Sequence, residues 1–328
     1  MINLAILGAG KIAGTMADTV RRMNAAGRDS VRLYAVAARD RDRAAAFAAA
    51  YGIPVSYGSY EEMAKDPAVD LVYVATPHSH HAQHMRLCIE NGKHILCEKA
   101  FTANAKQAEE VFALAKEKGV LVCEAIWTRY QPMRGIIHDL AWSGIVGAPR
   151  SVQADLSYPI AGKARITDPA LAGGALLDVG VYAINFAEMV FGRADAVYGR
   201  AVLSDQGVDL TDSMTFVWND GRMGILSCGA TALSEREGIV RCENGFLRVS
   251  NINNPERVIV YNRQYEEIRR VERPAQLTGY EYEVEEAARC IKQGLTECPS
   301  MPWEETLHVM REMDELRRQM GVRYPFEA

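Results

Sequence analysis

The chain has 328 residues, enough for two hydrophobic cores rather than one, with an ordinary balance of 48% hydrophobic and 24% charged side chains. A net charge of −5 gives no electrostatic reason to expect nucleic acid or an anionic membrane as partner, so a small-molecule function is the expectation. The seven cysteines form no CxxC pair and several sit in apolar runs, so they read as small packed hydrophobes in a reducing cytoplasm. The N-terminal apolar run is cut by glycines and lacks a basic flank, unlike a signal peptide, and no stretch is expected to cross a membrane.

Residues 1–125 alternate short apolar runs with helical patterns, as strands covered by helices on both faces do. The runs are Ile2–Leu7, Arg32–Ala37, Leu71–Ala75, His94–Cys97 and Val120–Cys123. Ser59-Tyr60-Glu61-Glu62 resembles a capping box, and Asn104 can cap a helix over Ala105–Lys118 that Gly119 ends. This grammar predicts βαβ units in a doubly wound parallel sheet, a Rossmann-type α/β domain.

From 126 to 328 the pattern changes to half-buried strands: Ser151–Tyr158, Ala196–Leu203, Ser213–Trp218, Met223–Cys228, Ile239–Cys242, Phe246–Val249 and Arg257–Tyr261. Asn219-Asp220-Gly221 and Glu243-Asn244-Gly245 are turn signals between neighbours. The expectation is an α+β domain with an open, mostly antiparallel sheet, a long helix from Leu176 to Phe191, and closing helices near Gly279–Gln293 and Trp303–Met320. A compact crossover near Ala125–Gln131 implies a shared cleft, and the last helix is expected to pack back on the first domain. Val202, Phe216, Trp218 and Ile225 are assigned to the outer sheet face, which predicts a homodimer formed sheet to sheet.

Gly8-Ala9-Gly10-Lys11-Ile12-Ala13 matches the dinucleotide fingerprint in its confirming context, after a strand and opening a helix. The second strand ends Val36-Ala37-Ala38-Arg39-Asp40-Arg41-Asp42-Arg43. Arg39 and Arg43 suit a ribose 2′-phosphate, which favours NADP; Asp40 is the competing ribose ligand that favours NAD. Three more segments end strands on the ligand side: Thr76-Pro77-His78-Ser79-His80-His81, Glu98-Lys99-Ala100 and Glu124-Ala125-Ile126-Trp127-Thr128-Arg129-Tyr130. A fourth, Gly173-Gly174-Ala175-Leu176-Leu177-Asp178-Val179-Gly180-Val181-Tyr182, opens the long helix with Asp178 and Tyr182 one turn apart. Oxidising a carbinol needs a base, and an ammonium beside a tyrosine brings its pKa of about 10 toward the working range.

At these motifs the chain resembles the glucose–fructose oxidoreductase / inositol dehydrogenase family along nearly its whole length. Within it, Glu124–Arg129 and Leu176–Tyr182 look most like the dimeric dihydrodiol dehydrogenase branch, which also holds NADP-dependent xylose dehydrogenases. On chemical grounds Asp178 is expected to hold Lys99 or a substrate hydroxyl. The resemblance implies Lys99 and Tyr182 as the catalytic pair and His81 at the nicotinamide. It implies a cofactor bed of Gly8, Gly10, Lys11, Ile12, Arg39, Arg43, Thr76, Pro77, His78, His81, Glu98 and Lys99. Trp127, Arg129 and Tyr158 would line the substrate pocket. No metal is implied, although His80 and His84 share a helix spacing. Most of the family has His at the Tyr182 position, and Pro rather than Ala100 after the Glu-Lys pair, so whether Lys99–Ala100 is cis or trans stays open. The first functional reading is an NAD(P)-dependent oxidoreductase acting on a sugar, polyol or cyclic dihydrodiol. The alternatives are a cofactor-binding regulatory protein without turnover, and a redox-neutral, glycosidase-type enzyme that retains its NAD.

Overall fold

Side-chain caps fix where most of the early helices begin, and apolar runs between them supply a buried sheet. The computed structural model describes residues 1–327. The first sheet contains β1 (Ile2–Leu7), β2 (Val31–Ala37), β3 (Val55–Tyr57), β4 (Leu71–Val74), β5 (His94–Glu98) and β6 (Val122–Ala125), all parallel in the order β3-β2-β1-β4-β5-β6. Between them run α1 (Lys11–Ala25), α2 (Arg41–Tyr51), α3 (Tyr60–Lys65), α4 (His78–Glu90) and α5 (Ala105–Lys118). Ser59 accepts from the Glu62 N–H at 3.0 Å and Asn104 from Gln107 at 3.0 Å, and Gly119 closes α5 in the left-handed region, as the sequence predicts. The winding direction reverses between β1 and β4, and in such sheets the ligand crevice opens beyond the carboxyl ends of those two strands.

Two local expectations shift. β3, only three half-buried residues, carries too little pattern to be read. β6 runs from Val122 to Ala125 instead of Val120–Cys123, because the ladder pairs Glu124 with Cys97 and Ala125 with Glu98. The apolar run marks burial, but hydrogen-bond register sets the strand.

The chain divides into two compact units, the first Met1–Tyr130 with Gln276–Leu307 and the second Gln131–Ala275 with His308–Ala328. The second unit holds α6 (Pro132–Trp142), β7 (Pro149–Ser157), α7 (Ala164–Thr167), a π-helical turn Leu176–Gly180 and α8 (Val181–Phe191). Then follow β8 (Ala196–Leu203), β9 (Asp209–Val217), β10 (Met223–Gly229), β11 (Gly238–Cys242), β12 (Gly245–Ser250), β13 (Arg257–Asn262) and β14 (Glu267–Glu272). They form one eight-stranded sheet ordered β14-β13-β12-β11-β7-β10-β9-β8, antiparallel except for β7 beside β10. The chain then returns to the first unit through α9 (Glu281–Lys292), which lies against α1, β2 and β5. The unit boundary falls inside the last helix, α10 (Trp303–Met320).

Every residue of α8 is buried, with the helix against β7 and β10. A Cβ on Gly238 would lie 2.2 Å from the Phe186 ring, so that glycine lets α8 approach the sheet. Against the expectation that no stretch is long and apolar enough for a bilayer, Pro169–Phe191 qualifies by length and composition; it is 89% buried, as a core helix is. The expected outer sheet face also needs correction. Val202 and Ile225 are 64% and 51% exposed, but Phe216 and Trp218 are 0% and 3% exposed. Phe216 stands opposite Gly224 and Ile225 opposite Thr215, so the two-residue period sends Phe216 and Ile225 to opposite faces. Tyr198, Leu203 and Met223 are also exposed apolar residues on β8 and β10, alongside Val202 and Ile225.

Candidate active site

The glycine loop follows from what its neighbours leave room for. Gly8 has φ +108°, and a Cβ there would sit 2.7 Å from the Ala75 carbonyl oxygen, so only glycine lets the loops after β1 and β4 abut. A Cβ on Gly10 would meet nothing within 4 Å. Gly10 opens α1 without a side-chain cap, leaving first-turn N–H groups facing a space that a pyrophosphate fits. Ala13 is fully buried, while Lys11 is exposed and Ile12 half-buried beside the loop.

At the end of β2, Asp40 has a local role in capping the next helix. Asp40 is the N-cap of α2, and its Oδ1 accepts from the N–H groups of Asp42 at 2.9 Å and Arg43 at 3.0 Å. The Arg43 guanidinium donates from Nη2 to the Ala9 carbonyl at 2.9 Å, at the glycine loop itself. Arg39 is exposed, and its charge is felt by Tyr60, His80 and His84, whose imidazoles burial pushes down, His84 to about 4.

His81 is fully buried. Its Nε2 lies 2.7 Å from the Thr76 carbonyl oxygen, and its Nδ1 lies 3.0 and 3.2 Å from those of Ala100 and Phe101. Burial pushes it down to about 4, so it is a neutral ring at working pH. Sequence reasoning sets His81 against the nicotinamide; in the structure its ring ties the loop after β4 to the loop after β5. His78 is buried edge-on to it, with ring centroids 5.7 Å apart, while Thr76 pairs with His84 at 3.0 Å and Pro77 is exposed. The Lys99–Ala100 peptide bond is cis and Lys99 is half-buried. Glu98 turns inward, where the Tyr73 hydroxyl donates to it, and beside it Glu283 is held well above the usual carboxylate range by burial.

Glu124, which the sequence shows only as part of a motif, is a deeply buried carboxyl in the first unit. Its Oε2 accepts from Thr306 at 3.1 Å, its Oε1 has no hydrogen-bond partner, and burial pushes it up to about 7 against the pull of Arg129 and Lys99. Between its ordinary value of 4.5 and 7 the folded chain therefore holds a proton that the unfolded chain releases. This share of stability is present below 4.5 and is lost as pH rises to 7. Glu124→Gln is expected to remove it, so the wild-type-minus-variant difference in unfolding free energy should fall by a few kcal/mol between about pH 4.5 and 7. Denaturant titrations at several pH values check this, and a difference that is flat in pH would show Glu124 titrating in the folded chain as it does in the unfolded one. Beyond it, Trp127 stacks on Tyr280 with centroids 4.0 Å apart, and Arg129, 2% exposed, lies 3.7 Å from Glu305.

In the second unit, Gly173 and Gly174 make a bend that no side chain fits: a Cβ would sit 2.6 Å from the Ile166 carbonyl oxygen or 2.2 Å from Asp209 Oδ1. Asp209 Oδ2 accepts from the Leu176 N–H at 2.6 Å and so caps the π-helical turn, while Tyr324 donates to the Gly173 carbonyl at 2.9 Å. Burial beside Asp209 pushes Asp212 up to about 9, so the two share a proton, and Cys228 Sγ donates to Asp212 at 3.0 Å. Sequence reasoning missed this anchor, whose contact spans 33 residues. Asp178 lies in the anchored turn and is paired with Arg165, and Tyr182, 8% exposed, stands in the first turn of α8. Tyr158 is half-buried, its hydroxyl accepting from Arg236 at 3.4 Å.

Residues 2–125 match the model of an oxidoreductase family with an NAD-binding Rossmann fold, and residues 136–248 match the GFO/IDH/MocA C-terminal domain. The chain belongs to the GFO/IDH/MocA family. Trans-1,2-dihydrobenzene-1,2-diol dehydrogenase of Xenopus tropicalis is 34% identical over 327 residues, 98% of each chain. The mouse enzyme of the same name is 32% identical over 306 residues, 90% of each. Among solved structures, KijD10, a 3-ketoreductase from Actinomadura kijaniata in complex with NADP and TDP-benzene, superposes with a TM-score of 0.87 at 25% identity, covering 97% of this chain and 98% of that one. This GFO/IDH/MocA protein is thus an NAD(P)-dependent dehydrogenase or reductase with a Rossmann domain and a second, mostly antiparallel sheet.

Proposed function

We propose that the protein interconverts a carbinol and a carbonyl on a sugar, a polyol or a cyclic trans-dihydrodiol, with NADP(H) as the redox partner. The observation that carries the NADP reading is the fate of Asp40: its Oδ1 is committed to two backbone N–H groups of α2, while Arg43 reaches the glycine loop. A ribose diol would need that carboxylate; a 2′-phosphate needs the guanidinium groups of Arg39 and Arg43. The open space at Gly10 and the uncapped start of α1 fit the pyrophosphate. When bound, the nicotinamide supplies or takes the hydride.

Everything else falls to the side chains. Tyr182 is the acid/base, accepting the hydroxyl proton in oxidation and returning it in reduction, and the Lys99 ammonium favours its phenolate. His81 positions the Lys99 loop through backbone carbonyls, and Asp178, held by Arg165, is aimed at a substrate hydroxyl. Trp127, Arg129 and Tyr158 shape the substrate pocket. Relatives named for dihydrodiol oxidation and for 3-keto reduction support hydroxylated rings as the substrate class. The exposed apolar row Tyr198, Val202, Met223 and Ile225 supports a homodimer through the second sheet, and the free thiols support a reducing cytoplasm.

Titrating the purified protein with NADPH and NADH, followed by fluorescence, tests the cofactor reading. NADPH is expected to bind at least ~10-fold tighter, about 1.4 kcal/mol, and Arg39→Ala to erase that preference while leaving NADH binding unchanged. Tighter binding of NADH would return the ribose to Asp40.

A further inference from the structure

The second unit contains a cluster that the redox chemistry does not use. α8 contributes Glu188, and α10 contributes His308 and Glu312, four residues apart and therefore on one face of that helix. His308 Nε2 lies 3.0 Å from Glu188 Oε1 and 3.2 Å from Glu312 Oε1. One atom from each residue falls within 4.8 Å of the others. The Glu188 side chain is fully buried and that of Glu312 is 6% exposed, while His308 keeps 24% exposure at the edge.

Two carboxylates this deep need positive charge, and an imidazolium would be the simplest source. The geometry argues against hydrogen bonding as the whole answer. At 3.0 and 3.2 Å both oxygens are near enough, yet Nε2 of His308 and both oxygens of Glu312 lack a well-directed hydrogen bond. A cation bound at roughly 2.1 Å in a tetrahedron has its ligand atoms about 3.4 Å apart; the His308–Glu188 and His308–Glu312 separations of 3.0 and 3.2 Å are slightly shorter, and binding would spread them.

We propose that Glu188, His308 and Glu312 form a divalent-cation site of the zinc class that clasps α8 to α10. Imidazole with two carboxylates is a nitrogen–oxygen donor set of zinc type, and two carboxylates balance a double charge once the cation displaces the proton that Glu188 and Glu312 otherwise hold on His308. The fourth position opens where His308 reaches solvent. The cation is structural: it ties the helix that carries Tyr182 to the closing helix of the same unit.

The test uses the full-length protein, dialysed with and without a strong chelator. Metal content by plasma mass spectrometry, thermal unfolding with added ZnCl2, and the absorption spectrum after Co2+ loading are then read. About one zinc per chain is expected after equilibrium with ZnCl2, with a Tm rise of about 4 °C over the chelated protein. His308→Gln and Glu312→Gln should each weaken zinc binding at least ~10-fold, following the loss of one ligand. Co2+ should give d–d bands without a sulfur charge-transfer band; that band would place the metal in the first unit, where Glu286, Cys290 and Cys298 also converge, and would overturn the proposal. A wild-type protein that takes up no metal, with Tm unmoved by zinc, would overturn it as well, even if either variant failed to fold. So would a Glu312→Gln protein that gains stability in chelator while the wild type ignores zinc, since the cluster would then be a proton-sharing triad.

Discussion

Tyr182→Phe is expected to lower kcat by about 10³-fold in either direction while NADPH affinity stays within about twofold. The substitution removes one oxygen and keeps the ring. Because Tyr182 is 8% exposed in a helix whose every residue is buried, the phenyl group retains the packing, and Tm should move little. What is lost is the only proton acceptor that the reading assigns at the reacting hydroxyl. General acid–base contributions of 10²–10⁴ bound the effect, so a variant within tenfold of wild type would remove Tyr182 from the chemistry. A packed structural tyrosine gives the opposite pattern, a Tm loss with kcat per folded molecule unchanged. Steady-state kinetics with a productive sugar or dihydrodiol, a fluorescence titration with NADPH and a melting curve separate the two.

The legible parts of this fold were those written locally. Ser59, Asn104 and Gly119 punctuate helices by bonds within three or four residues, and the fingerprint glycines carry their own conformational reason. Illegible parts depend on partners remote in the chain. The end of β6 is set by pairing with β5, which moved Glu124 from loop to strand. β14 is an edge strand with nearly every residue exposed, so it has no alternation to read, and α6 lies just past the expected crossover, in a stretch to which the sequence reading assigns no element. The faces of Phe216 and Trp218 follow from register with β10, a one-residue matter that composition does not decide. At the site the same division holds. Lys99, Tyr182 and Asp178 are proposed from motifs alone, whereas the Asp209 cap and the Glu188–His308–Glu312 cluster exist only once the strands and helices are packed. Asp40 is the instructive case: its type argued for NAD, and its own helix start claims it.

Lys99→Met is expected to lower kcat/KM for oxidation at pH 7 by about 10²-fold and to move its rising limb up by at least about one pH unit. The sign follows from charge. An ammonium near a phenol stabilises the phenolate, so the phenol ionises at lower pH; removing it returns the phenol toward its free value of about 10. Methionine keeps the length and apolar body of the stem, so loss of packing is not the cause. The neighbourhood supplies an internal control. Glu124 is pushed up to about 7, and Lys99 is one of the charges that oppose that rise. If Lys99 acts through its charge, Glu124→Gln, which removes a competing anion beside it, should shift the rising limb the other way, to lower pH. Both single variants moving the limb in the same direction, or Lys99→Met lowering the rate without moving the limb, would mean that Lys99 holds substrate or cofactor in place and does not tune Tyr182.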